Sequence, residues 1–171
     1  AKLPQHLVKE SISKAPSITR LCGRSSRFDL SLGEGSVHTW LTGSMLFVYD
    51  LETGERRKAL TEDTKNVTRL ADALPSIHII GIPPCIPSEV PSRFIDLYGV
   101  AAALESTEKN VYTVVYNEQL IDYVLEMLVA VSGREEELRK RPIAACLTQP
   151  VAPLTQVPAQ TKLLRAYAEK G

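Results

Sequence analysis

Six positions in the sequence carry groups that could bind a small polar ligand. They offer hydroxyl, amide, aromatic and backbone groups, and they are Thr42, Gly43, Ser44, Tyr116, Asn117 and Gln149. Each follows a stretch typical of a buried strand, and the carboxyl ends of parallel strands meet at one edge of a sheet. The set contains no acid–base pair, so it predicts substrate binding and leaves the catalytic residues unknown. Asn117 and Gln149 could equally serve only to cap a helix and to satisfy loop backbone.

The sequence lacks the common signatures of cofactor and metal chemistry. It contains no GxxxxGK[ST], and no GxGxxG follows a strand, which argues against phosphate cradling. HExxH, GxSxG and CxxC are also absent. The three cysteines, Cys22, Cys85 and Cys146, are spaced for neither a disulfide framework nor a zinc site. We therefore expect no bound metal and a reduced, cytoplasmic location.

Regular alternation of strands and helices must position these residues. The predicted strands are VHTWLTG, IHIIG, VYTVVY and IAACLT, each followed by a helical pattern. A helix from Thr61, expected as its N-cap, has apolar residues at i, i+3, i+4 and i+7. In the next helix the expected buried face comprises Phe94, Leu97, Tyr98, Ala101 and Leu104. The sequence thus predicts about four βα units.

Nearly continuous apolar strands indicate a parallel sheet covered by helices on both faces. Two architectures fit this pattern, an open doubly wound sheet and part of a (β/α)₈ TIM barrel. A complete barrel needs about 200 to 250 residues, so four units form roughly half of one. Half a barrel has open strand edges, which predicts missing sequence or a partner, and we expect a homo-oligomer.

The first part of the chain is less regular. In residues 1–36 the sequence predicts a helix that begins at Pro4 and two short strands. We expect this irregular α+β segment to precede the barrel half at residues 37–171. The stretch FVYDLETGERRKAL predicts a hairpin that turns at Gly54. Its basic residues, Arg56, Arg57 and Lys58, are expected on the solvated side, with anion binding the less favoured alternative.

Composition excludes two classes of partner. Lysine plus arginine equals aspartate plus glutamate at 20 each, so there is no electrostatic reason to expect nucleic-acid binding. No apolar run approaches the ~20 residues that span a bilayer, so no membrane segment is expected. The 44% apolar and 23% charged content fits a soluble globular protein.

The hairpin and the helix after it identify a family. DLETGERRKALTEDTKNVTRLADALPSI at residues 50–77 resembles the trimethylamine methyltransferase family. The likeness continues in TGS at 42–44, EVPSRFIDLYGVAAALESTEKNV at 89–111, REEELRKRP at 134–142 and QPVAPL at 149–154. These pieces follow the family's order and spacing over nearly the whole chain.

The resemblance implies a (β/α)₈ barrel that is considerably longer than this chain. It implies transfer of a methyl group from a methylated amine, such as trimethylamine or glycine betaine, to the cobalt of a corrinoid. The corrinoid is carried by a separate partner protein, so no cofactor is bound directly. Trp40, Tyr98 and Tyr116 are candidates for contact with the amine, although core packing is the favoured use of each. The alternative is a non-catalytic α/β binding or assembly module derived from this family.

Overall fold

The computed structural model describes residues 3–33, 35–146 and 155–170. The helices are α1 (Gln5–Lys14), α2 (Thr61–Ala73), α3 (Ile95–Leu104), α4 (Ile121–Ser132), α5 (Glu135–Lys140) and α6 (Pro158–Lys170). The strands are β1 (Thr19–Leu21), β2 (Leu30–Leu32), β3 (Trp40–Leu41), β4 (Phe47–Tyr49), β5 (Arg56–Lys58), β6 (Ile79–Ile82), β7 (Asn110–Thr113) and β8 (Ala144–Cys146). Within the described ranges, no helix has the length and apolar character needed to cross a membrane.

A parallel sheet forms the centre of the molecule, with its strands in the order β3-β6-β7-β8. All three pairings are parallel, and the register joins Ile80 to Val111 and Val111 to Ala144. Helices lie in the connections between these strands, so the predicted run of βα units is confirmed. A four-stranded parallel sheet is compatible with an arc of a (β/α)₈ barrel. Closure into a barrel and the division at residue 36 stay predictions.

The two faces of the sheet have different environments. Side chains alternate between faces along a strand, and on one face Ile80 and Val111 are fully buried together with Val100 of α3 and Val124 of α4. On the other face Trp40 is 51% exposed. Ile79 and Asn110 share that face and are buried, at 4% and 0% exposure. Burial on both faces is therefore met at the amino ends of β6 and β7, but not at Trp40 on the outer strand β3.

The predicted hairpin is confirmed as the antiparallel pair β4-β5. Gly54 in its turn has φ +72°, a conformation that costs a glycine little. Arg57 donates two hydrogen bonds to the Asp63 carboxylate, at 2.7 and 2.9 Å, and these bonds hold the pKa of Asp63 below its usual value. The Arg56 guanidinium lies 3.7 Å from the centre of the Phe47 ring. Both arginines therefore have structural contacts.

The N-cap of helix α2 lies one residue earlier than expected. Leu60 occupies the N-cap position and Thr61 is the first helical residue, so the predicted N-cap at Thr61 is wrong. The Asp63 carboxylate accepts the Leu60 N–H at 2.8 Å, and the Glu89 carboxylate accepts the Thr61 N–H at 2.7 Å. These carboxylates accept N–H groups at the start of the helix that have no intrahelical partner.

Buried polar side chains fasten the amino-terminal end of β7. The Asn110 amide donates to the carbonyl oxygens of Cys22 and Pro142 at 3.0 and 3.1 Å. Lys109 is 4% exposed, and its ammonium donates to the carbonyl oxygens of Ala71 and Leu74 at 2.7 and 2.9 Å. The lysine thereby caps the carboxyl end of α2.

Replacing Lys109 with methionine tests this capping. Lys109→Met keeps the apolar stem and leaves two helix-end carbonyls without their donor, so we expect a loss of about 1.5–3 kcal/mol in the free energy of unfolding. Urea denaturation measures this loss. Lys162→Met is the control, because it removes only an exposed pair with Glu118 and should cost at most ~1 kcal/mol. Equal stability of the two variants would contradict the capping role.

Candidate functional site

The parallel register brings the ends of β3, β6 and β7 together around one cavity of about 200 Å³. Its wall comprises Trp40, Leu41, Thr42, Gly43, Ser44, Gly81, Pro83, Tyr112, Val114 and Tyr116. Four of the predicted site residues thus lie in one wall. Asn117 lines an adjoining cavity of about 340 Å³, which we call the second cavity. Gln149 lies outside the described residues, and ligand binding by any of these residues stays a prediction.

Two glycines allow the backbones at this edge to approach closely. A Cβ atom on Gly43 would lie 2.3 Å from the Pro84 carbonyl oxygen, and one on Gly81 would lie 2.3 Å from that of Leu41. Any larger residue would therefore push apart the strand ends that form the cavity. The next residue, Ser44, has φ +72°, which is unusual for a residue with a side chain and is found at functional sites.

Aromatic rings form much of the cavity wall. Trp40 stacks on Tyr112 with 5.3 Å between ring centres and an interplanar angle of 23°. Tyr116, at the end of β7, is 58% exposed. Core packing, the use favoured for Trp40, Tyr98 and Tyr116, is wrong for all three, since each is about half exposed. Trp40 and Tyr116 line the cavity, whereas Tyr98 lines neither cavity.

Asp96 is a wall residue that sequence reasoning missed. It lies in the first turn of α3, is 9% exposed and lines the second cavity. Its Oδ2 atom accepts the backbone N–H groups of Tyr116 and Asn117 at 2.7 and 3.4 Å. Burial raises the pKa of the Asp96 carboxyl, and the two hydrogen bonds act in the opposite direction. Among the described residues that line either cavity, Asp96 is the one with an acidic or basic side chain.

A sequence signal for Asp96 exists in the spacing of α3. Asp96, Val100 and Ala103 follow the i, i+4, i+7 pattern, and all three are buried. The predicted face is wrong at Tyr98, which is 48% exposed, and confirmed at Leu104, which is buried. Aspartate is rarely buried, so an aspartate on the buried face of a helix indicates a specific structural or functional role.

Asn117 has both parts of its amide engaged by the protein. The amide oxygen accepts the Gln119 N–H at 3.1 Å and so caps the short 3-10 turn at Glu118–Leu120 that precedes α4. The amide nitrogen donates to the Arg93 carbonyl oxygen at 3.3 Å. These bonds hold the loop after β7 in place.

The site offers little that could hold a metal ion. In the described part of the chain, no three His, Cys, Asp or Glu side chains are grouped closely enough to share one. What the cavity does offer is aromatic faces, hydroxyl groups and one nearby carboxylate. This combination is suited to a small ligand with an apolar surface and a positive charge, because aromatic rings attract cations over their faces.

Comparison with known proteins gives matches along the entire sequence. The sequence model of the family described as trimethylamine methyltransferase (MTTB) matches residues 1–171. Trimethylamine methyltransferase MttB of Desulfitobacterium hafniense (strain DSM 10664 / DCB-2) is 31% identical over 170 residues, which are 99% of this chain and 34% of that protein.

Two relatives of lower identity also match most of this chain and about a third of their own length. Glycine betaine methyltransferase of D. hafniense (strain Y51) is 22% identical over 99% of this chain and 35% of its own length. MttB of Methanosarcina barkeri is 26% identical over 90% of this chain and 32% of its own length. The chain spans about a third of the length of these curated relatives. With the family model matched from the first residue to the last, the chain belongs to the trimethylamine methyltransferase family.

Proposed function

We propose that this chain is part of a methyltransferase that moves a methyl group from a methylated amine to the cobalt of a corrinoid on a partner protein. The observation that carries the proposal is the match to the family over residues 1–171. The names of the similar proteins point to trimethylamine or glycine betaine as the class of methyl donor. We also propose a cytoplasmic location, in keeping with the free, buried thiols of Cys22 and Cys85.

The cavity geometry supports this proposal. A volume of about 200 Å³ lies below the ~300–1,000 Å³ of sites for drug-sized ligands, so a small amine suits it. A quaternary ammonium has no N–H to donate, and aromatic faces such as those of Trp40 and Tyr116 can attract its methyl groups. The chain's own residues would bind the amine, exclude water and point one methyl group out of the strand ends.

The acceptor chemistry is assigned to the partner. When bound there, the corrinoid supplies a nucleophilic cobalt that takes the methyl group. Displacement at a methyl group involves little proton transfer, so the proposal needs no acid–base pair in the wall. The partner would have to approach the carboxyl ends of β3, β6 and β7, because the cavity opens there.

Methyl transfer by the complete gene product tests the proposal. Incubation with trimethylamine or glycine betaine and free cob(I)alamin should produce a methylated corrinoid. The change in visible absorbance of the corrinoid measures this transfer. The absence of transfer from every methylated amine tried would contradict the proposed function.

Replacing Tyr116 tests the role of the aromatic wall. Tyr116→Leu removes a ring face from the cavity, and we expect a loss of about 1–2 kcal/mol, or roughly 5- to 30-fold, in affinity for tetramethylammonium. Isothermal titration calorimetry measures this affinity. Tyr123→Leu is the matched control, because Tyr123 is a 55% exposed tyrosine on α4 that lines neither cavity. An unchanged affinity in Tyr116→Leu would count against the aromatic wall.

Association between copies is a further proposal, which the open edges of the sheet support. Within the described ranges, β3 and β8 are the outer strands and each has one partner. Unpaired strand edges favour association. Sedimentation velocity of the 171-residue chain should therefore give a mass of at least a dimer of the 18.8 kDa chain. A folded, stable monomer would contradict this proposal.

A further inference from the structure

The second cavity joins the aromatic cavity at a shared wall. Ser44, Pro83 and Tyr116 line both cavities, and Asp96 lines the second. Among the described residues that line the two cavities there is neither a lysine nor an arginine. A positive ligand in the aromatic cavity would therefore be close to one carboxylate. It would have no other charged neighbour among the described wall residues.

Asp96 is a buried carboxylate without an ionic partner in the described part of the chain. Its two hydrogen bonds come from backbone N–H groups and both end on Oδ2, and the residue lines the second cavity. Buried aspartates are almost always paired with a cation or a metal. The helix dipole of α3 offsets only part of the cost of burying this charge. A bound cation would supply the missing partner.

We propose that Asp96 selects the charge of the substrate, favouring a methylated ammonium cation and disfavouring one that carries its own carboxylate. This inference rests on the proposed function. The attraction acts across the shared wall, so it needs no direct contact with the amine. A zwitterion such as glycine betaine would bring a second carboxylate toward Asp96, and no basic side chain among the described wall residues would pair with it. Like charges in a site of low dielectric constant repel strongly.

Two variants separate the charge of Asp96 from its structural bonds. Asp96→Asn removes the charge and keeps an oxygen that can accept the Tyr116 N–H, whereas Asp96→Ala removes both. The probes are tetramethylammonium and the neutral 2,2-dimethylpropan-1-ol, which has a similar branched shape. Calorimetry on the complete gene product should give affinity for tetramethylammonium about tenfold weaker in Asp96→Asn. Affinity for the neutral alcohol should stay within about twofold, because only the charge has been removed.

The matched control is Asp122→Asn, which removes an exposed aspartate from the first turn of α4. It should leave both affinities unchanged. If Asp96→Asn binds tetramethylammonium as the unmodified protein does, or loses both probes equally, the inference is wrong. If Asp96→Asn loses both probes equally, Asp96 serves only to hold the loop at Tyr116. Asp96→Ala removes both the charge and the hydrogen-bond acceptor, so it should lose affinity for both probes whether or not the inference is right.

The unmodified protein provides a test that does not depend on the folding of any variant. It should bind tetramethylammonium about tenfold more tightly than glycine betaine. Equal or tighter binding of glycine betaine would overturn the inference. Methyl transfer distinguishes this failure from failure of the proposed function. Transfer that occurs with glycine betaine preferred overturns only the role of Asp96, whereas no transfer from any methylated amine overturns the function.

Discussion

Parallel hydrogen bonding between β6 and β7 determines which residues meet at the candidate site. The register joins Gly81 to Tyr112, and β3 pairs on the other side of β6. Because all of these strands run in one direction, their carboxyl ends lie at the same edge. The close backbone approach at Gly81 and Gly43 keeps that edge tight. The position of Trp40 over Tyr112 and the exposure of Tyr116 both follow from this arrangement.

Stabilising contacts and candidate ligand contacts occupy opposite ends of the strands. At the amino end, Lys109 and Asn110 use their polar atoms on carbonyl groups of α2 and of the segments around Cys22 and Pro142. At the carboxyl end, Trp40 and Tyr116 line the aromatic cavity and Asp96 lines the second cavity. This division is the one expected for parallel α/β folds, in which loops after the strands carry the chemistry.

Much of the framework could be predicted because its signals are local. Apolar strand patterns gave the correct parallel neighbours, and Gly54 marked the hairpin turn. The start of α2 depended on Glu89, which lies 28 residues from its partner Thr61, and no local pattern contains that contact. Helix α3 is apolar at nearly every position, so several faces fitted a helical period, and the one that contains Asp96, Val100 and Ala103 did not stand out from the others. At the candidate site, residue types at the strand ends were predictable, but the exposure of the rings depended on tertiary packing.

The proposed role of Asp96 is argued from the chemistry of a methylated ammonium ion. Its charge is spread over methyl groups, and a quaternary form cannot donate a hydrogen bond, so recognition must use ring faces and attraction over a distance. The N–H groups of Tyr116 and Asn117 hold the Asp96 carboxylate at the second cavity. Under the proposed role, its charge would act across the shared wall while the rings of the aromatic cavity would contact the ligand. The same bonds tie the loop of Tyr116 to α3. Asp96 therefore helps to position the Tyr116 ring and also carries the carboxylate next to it.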